Sequence, residues 1–417
     1  MSDSPLPALR HDLEVMPIEH EGRPMFLLQD HEGIAPQPLV LSPAGLAIAF
    51  LLNGRHSLSE LQALLTRETG SVIQIAQIQG IVETLGRAKY LETSEVQESR
   101  RRMLEDFLAS PIRKAALEGA YPKEPLELAK FMGAFFRDPK GPGEPLADQP
   151  SRDKPPRGLV CPHIDLYRGG PAYAWAYRAL SQCPPPDLIV AVGVAHAGPP
   201  SPWIMTRKAY ETPYGPMEVD AGLYDEIRSA LWYDPLDDEW AHRREHSLEF
   251  QALWLKHLWR ERAPAWVPIL CSSFERFSPD KAPSSTETVD KALSRVGEML
   301  AERAKRQRVM VLAGIDLAHV GPKFGDDLEL TPELGRKLEA EDRATLDHAL
   351  KLEADAFYLS AINDGHWRKI CGLSALYTSL RLIRALPGTA EASLLAYGQA
   401  PDPMGGIVSF ASAVFPS

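Results

Sequence analysis

The run Leu188-Ile189-Val190-Ala191-Val192-Gly193-Val194-Ala195-His196 decides the fold. Leu188 to Val192 is an unbroken apolar stretch of strand length, and it ends in a glycine-containing turn that presents a histidine. A strand with no polar face is buried on both sides, which is the habit of parallel sheets covered by helices. Leu159-Val160-Cys161, Val267-Pro268-Ile269-Leu270 and Val309-Met310-Val311-Leu312-Ala313 repeat the pattern. Helical periodicity fills the intervals, at Tyr173 to Leu180 and at Thr286 to Ala304. Buried strands alternating with helices predict an α/β fold with a mostly parallel or mixed central sheet flanked by helices, whose functional loops lie beyond the carboxyl ends of the strands.

Working toward the N-terminus, the pattern changes. Asp138 to Arg157 mixes Pro and Gly with Lys and Asp and reads as an exposed loop. Ser94 to Leu108 is charged, with Arg100, Arg101 and Arg102 together, and reads as a solvated helix or linker. Before it, strand signals at Met25 to Leu28 and Pro38 to Leu41 precede a helix that opens at Ser42-Pro43 and closes at Asn53-Gly54. Ser57 with Glu60 three residues later forms a capping box for a second helix carrying Leu58, Leu61, Leu64 and Leu65. A third helix at Ile73 to Leu85 and a short strand at Lys89 to Glu92 complete a small α+β unit. Its punctuation resembles PqqD-like winged-helix modules, a resemblance that implies peptide binding or docking. The chain is therefore read as a winged-helix-like module at 1–95, a linker at 96–107 and the α/β domain at 108–417.

With 417 residues, 44% hydrophobic and 24% charged, and a net charge of −11, the composition is that of a folded chain and excludes the basic footprint of a nucleic-acid binder. The longest apolar stretch, Leu39 to Leu52, is interrupted by Ser42, Pro43 and Gly45 and falls short of the roughly 20 residues a membrane span requires. Met1 to Glu14 has no apolar core of a signal peptide, so a cytoplasmic protein without membrane contact is expected. Cys161, Cys183, Cys271 and Cys371 are widely spaced and form no C-x-x-C pair, which argues against a disulfide framework.

Three strand-terminal turns each present a titratable side chain: Cys161-Pro162-His163, Gly193-Val194-Ala195-His196, and Gly314-Ile315-Asp316-Leu317-Ala318-His319. One such histidine is commonly structural; three at the same topological position point to a site. Imidazole is the commonest ligand of divalent transition metals, so His163 and His196 are candidates for two ligands, and Asp316 with His319 for acid–base work or for orienting a ligand. Arg244-Glu245-His246-Ser247-Leu248-Glu249-Phe250 opens an aromatic-rich helix in which His246 and Glu249, at i and i+3, are expected to share one face and act catalytically.

These segments resemble the Memo family in order: Pro162-His163 with Tyr167 and Gly169-Gly170; Val192 to His196; Tyr210-Glu211-Thr212-Pro213-Tyr214-Gly215-Pro216-Met217-Glu218-Val219-Asp220; Glu245 to Glu249; Asp316-x-x-His319-x-Gly321; and Ile370-Cys371-Gly372. Gly119 to Pro125 is similar to the family's start. The resemblance implies a fold related to class III extradiol dioxygenases and a metal site of His163, His196 and Cys371, lined by Asp316 and His319. It further implies an iron- or copper-dependent redox enzyme, with zinc as another metal, and links to radical SAM and AMMECR-like proteins. The dioxygenases use a carboxylate where this chain has Cys371. The chain also departs from the family's usual pattern at Ala197, which follows His196 in place of a second histidine, and at Ile164-Asp165 and Gly372-Leu373-Ser374. Two other readings stay open: a metal-free enzyme whose Cys371 nucleophile is activated by His319 and oriented by Asp316, and a non-catalytic module that binds a peptide or partner.

Overall fold

The computed structural model of the protein describes residues 4–117, 119–389, 391–402 and 404–417. Two compact units are present, Met1–Ala109 and Ser110–Ser417, with residues 1–3 of the first outside the described residues.

In the first unit, β1 (Leu13–His20) and β2 (Arg23–Asp30) form a hairpin, and β3 (Leu39–Leu41) pairs antiparallel with β2. The hairpin turn, Glu21-Gly22, takes positive φ at both positions (51° and 71°), the backbone twist that two-residue hairpin loops require. Then come α1 (Pro43–Leu51), α2 (Leu58–Thr69), α3 (Ile75–Arg87) and α4 (Ser94–Ala109). The Ser57 capping box is present: the Ser57 amide donates to the Glu60 carboxylate at 2.8 Å while the Ser57 hydroxyl accepts from the Glu60 amide. Leu28, Leu46, Leu61, Ile78, Leu85 and Tyr90 form the core. Residues 96–107, expected as a linker, lie within α4 of the first unit, where Val96 and Phe107 are buried. The likeness of this unit to PqqD-like modules is one of sequence pattern alone.

The second unit contains β4 (Ile112–Arg113), α5 (Pro125–Phe135), β5 (Gly158–Cys161), α6 (Leu166–Ser181), β6 (Leu188–Val194), β7 (Trp203–Met205), β8 (Ala209–Tyr210), α7 (Ala221–Ala230), α8 (Glu249–Trp259), β9 (Trp266–Cys271), α9 (Glu287–Ala304), β10 (Val309–Gly314), β11 (His319–Val320), α10 (Pro332–Leu350), α11 (Ala354–Ile362), α12 (Leu373–Ala385), β12 (Ser393–Asp402) and β13 (Gly406–Phe415). The main sheet runs β11-β13-β5-β10-β6-β9-β7, with β12 paired to β13. Its centre, β5-β10-β6-β9, is parallel, and the flanking pairings are antiparallel. This is a mixed sheet flanked by helices, as expected.

Alternation along the buried strands explains how both faces are used. Val309, Val311 and Ala313 pack with α9 and α12 through Val296, Leu300, Leu376 and Ile383. Met310 and Leu312 point to the other face, against α6 and α8, where Trp254 lies stacked on Tyr173 and Tyr177 at centroid distances of 5.9 and 5.0 Å. Both faces being covered, the strand sequence carries no polar positions. No helix among the described residues is long and apolar enough to cross a membrane.

Candidate metal centre

The three strands β5, β10 and β6 are adjacent and parallel, with Gly314 in register with Cys161 and Ala313 with Val192. Their carboxyl ends therefore lie side by side, and each releases a candidate site residue two positions on: His163, Asp316 and His196. The rings of His163 and His196 are 5.0 Å apart between centroids.

A third imidazole joins them. His246 stands 5.3 Å from His163 and is stacked on His196 at 4.9 Å, so that one ligand atom from each of the three lies within 4.8 Å of the others. Two glycines make room for it. A Cβ on Gly314 would lie 2.6 Å from the Ser247 carbonyl oxygen, and one on Gly193 would lie 2.5 Å from Ser247 Oγ, so the 245–248 loop settles onto the strand ends only because both positions lack side chains. Ser247 then bonds the end of β6 through Val194 N (3.0 Å) and Val194 O (3.1 Å).

Cys371, just before α12, brings its sulfur to 3.3 Å from His163 Nε2. The imidazole in contact with this thiol is His163, whereas the metal-free reading pairs it with His319. His319 sits instead in β11, its amide bonded to the Arg368 carbonyl and its Nδ1 3.1 Å from the Leu317 carbonyl. It couples to the cluster electrostatically, since His196 contributes to its depressed pKa.

Behind the cluster, polar groups fix the outer ring nitrogens. His163 Nδ1 faces the Gly314 carbonyl at 3.0 Å, and His196 Nδ1 faces the Glu245 carboxylate at 3.0 Å. Each contact occupies Nδ1, and in His163 it is Nε2 that meets the Cys371 sulfur. Glu245 also accepts the amides of His196 (3.0 Å) and Ser247 (2.9 Å), so one buried carboxylate ties the β6 turn to the 245–248 loop. Sequence reasoning quoted Glu245 but gave it no role; its place directly before a candidate histidine was the available signal.

Burial dominates the electrostatics. It pulls the His163 imidazole well below its ordinary range, with neighbouring His196 and His246 adding to the effect, and it lowers His246 as well, so both rings are neutral near pH 7. Burial would also lower His196, but hydrogen bonds to Cys371 and Glu245 outweigh it and raise that pKa. Burial pushes the Cys371 thiol up. Asp316, fully enclosed, accepts the His163 amide at 2.9 Å and is pushed up to about 7, while His319 is lowered to about 4 by burial.

Glu249 does not join this group. The helix begins at Glu249 rather than at Arg244, so His246 lies in the preceding loop and the expected shared helical face does not exist. The Glu249 carboxylate is paired with Arg113 and accepts from Tyr121 OH (2.8 Å) and the amides of Ala116 (2.8 Å) and Leu117 (3.2 Å).

A family model described as Memo-like protein matches residues 113–414. A MEMO1 family protein of Aquifex aeolicus is 26% identical over 392 residues, covering 94% of this chain and 96% of that protein. One of Thermus thermophilus is 28% identical over 346 residues, covering 82% and 95%, and one of Methanococcus vannielii is 27% identical over 298 residues, covering 70% and 94%. An alignment of 392 residues necessarily extends into the first unit, because the second comprises only Ser110–Ser417.

Proposed function

The chain belongs to the Memo-like family, and on that premise we propose that its function is seated in a transition-metal centre held by His163 and His196, with Cys371 and His246 as further donors. The observation that carries this reading is the convergence of three imidazoles within 4.8 Å, two of them with Nδ1 engaged from behind. Metal-binding histidines are typically oriented by a carboxylate or carbonyl on the other ring nitrogen, which is how His196 and His163 are held here. Imidazole with a soft thiolate suits iron, copper or zinc. Bound iron or copper would supply electron transfer with dioxygen or a reducible substrate.

The surrounding residues then manage protons. Asp316, with its pKa near 7, holds a proton close to neutral pH and can give it up beside His163. His319, lowered to about 4, is a neutral acceptor at the same pH. Metal analysis after anaerobic purification tests the reading, with about one ion per chain expected in the wild type and much less in His163→Ala and Cys371→Ser. Full retention of metal in His163→Ala would sink the ligand assignment.

The 3.3 Å contact between Cys371 and His163 also favours a second reading, a metal-free thiol nucleophile. The raised thiol pKa weighs against it. Alkylation of Cys371 at mild pH that added metal fails to suppress would support this second reading over the first. Association with radical SAM and AMMECR-like proteins is the part of the proposal that rests on family resemblance; co-purification with those proteins tests it.

A further inference from the structure

We propose that Arg113, more than a hundred residues away in sequence, is the positioning residue that holds Glu245 and His246 in the metal cluster; the proposal rests on the metal-centre reading above. The guanidinium is fully buried and makes a contact at three points of one short stretch. Nε donates to the His242 carbonyl at 2.9 Å, Nη2 donates to the Glu245 carbonyl at 2.5 Å, and Nη1 pairs with the Glu249 carboxylate. These anchors bracket residues 242–249, the segment that carries Glu245 and His246.

Each anchor is itself held. The His242 ring lies between the Tyr210 hydroxyl, 2.7 Å from Nδ1, and the Ile204 carbonyl, 3.1 Å from Nε2, so Tyr210 donates and Nε2–H points to the carbonyl. Glu249 is gripped by Tyr121 and by the amides of Ala116 and Leu117, and its own amide closes back on the His246 carbonyl at 3.0 Å. The Tyr210 ring lies under the guanidinium with its centroid 4.8 Å from Cζ. A planar fork satisfies two backbone carbonyls and a carboxylate at once; an ammonium at the same place cannot span them.

Besides Arg113, the loop is tied to the end of β6 through Ser247 and through the Glu245 carboxylate. A short 3₁₀ turn at Glu239–Arg243 and the first residue of α8 bound the segment, and Glu245 and His246 lie between them. From Glu245 the connection runs outward to the cluster, through the His196 amide and His196 Nδ1. Loosening Arg113 therefore releases two things together, the orientation of the His196 ring and the approach of His246.

The test uses the full chain and two variants, Arg113→Lys, which keeps the charge and loses the fork, and Glu249→Gln, which keeps the shape and loses the ion pair. In metal-free protein, hydrogen exchange of the 243–249 amides and of the His196 amide is expected to rise roughly 10-fold or more, with amides of the first unit unchanged. With Co(II) as the probe, binding is expected to weaken about 10- to 100-fold, with a shifted visible spectrum. Unchanged exchange at 243–249 in both variants overturns the proposal. Faster exchange with unaltered Co(II) affinity and spectrum also overturns it, leaving Arg113 a merely structural residue. If the wild type binds no Co(II), the metal reading fails separately, and the exchange of the His196 amide alone decides whether Arg113 governs the loop.

Discussion

Arg10 in the first unit and Arg113 in the second both carry guanidinium groups with no exposed surface, and the two are surrounded quite differently. Arg10 bonds Asp12 through Nε and Nη2, Asp30 through Nη1 and Nη2, and the Lys89 carbonyl at 3.0 Å. Asp30 in turn accepts the amides of Glu32, Ile34 and Ala35, and Asp12 is also bonded by Arg100 at 2.8 Å, so the network closes within the first unit and ties the end of β2 to the turn after α3 and to α4. Arg113 is equally saturated, yet the loop it holds faces His163, His196, His246 and Cys371, whose donor atoms converge on each other. A closed network of buried charge specifies structure. The second ends on convergent nitrogen and sulfur atoms, the arrangement on which the proposed metal centre rests.

The comparison breaks most visibly at Arg10. Arg10→Met leaves the buried Asp30 without its cation beside an apolar side chain, and should cost about 3–5 kcal/mol. All eight tryptophans lie beyond residue 109, so tryptophan fluorescence reports the second unit alone while far-UV circular dichroism reports both. The variant should lose part of its dichroism at lower denaturant with the fluorescence transition unmoved; a joint shift would mean that the two units do not unfold independently.

At the other end, Glu245→Gln keeps the size of the side chain and removes the carboxylate behind His196. Metal affinity is expected to fall about 10- to 100-fold, measured by competition with a chelator, with the melting of the first unit unchanged. Unaltered affinity would remove Glu245 from the description of the site.

Acid sharpens the contrast further. The Arg10 guanidinium and the backbone amides hold Asp30 down to about 2 against the opposing effect of burial, from an ordinary 3.8. Because the folded pKa is depressed, this carboxylate stabilises the first unit above about pH 4 and its contribution is lost as pH falls toward about 2. Denaturation followed by dichroism at pH 5 and pH 3 should show the loss, and Arg10→Met should flatten it. The smallest effect is expected at a helix cap of the same unit: Ser57→Ala removes the capping box of α2 and should cost about 1 kcal/mol, again seen in dichroism only.

Legibility in the sequence followed burial. The strands β5, β6, β9 and β10 were readable because both faces are covered and their residues are continuously apolar. β1 was missed: it is an edge strand with Pro17 inside it and exposed Glu14, His20 and Glu19, and edge strands carry neither continuous apolarity nor strict alternation. His163, His196 and Asp316 could be picked out because a strand of known direction announces where its carboxyl end lies. The 244–250 segment misled, since helical spacing was applied to residues that precede the helix. Glu249 thereby gained a catalytic expectation, and its true partner, Arg113, is 136 positions away.

The amino-acid sequence by itself determined the α/β architecture, the turns that carry the histidines and the capping of α2, since each follows from spacing between neighbours along the chain. Tertiary structure alone decided that His246 approaches His163 and His196 and that Arg113 grips the 242–249 loop. Those contacts depend on which strand ends lie side by side and on glycines that let a loop approach, and neither is written in local periodicity.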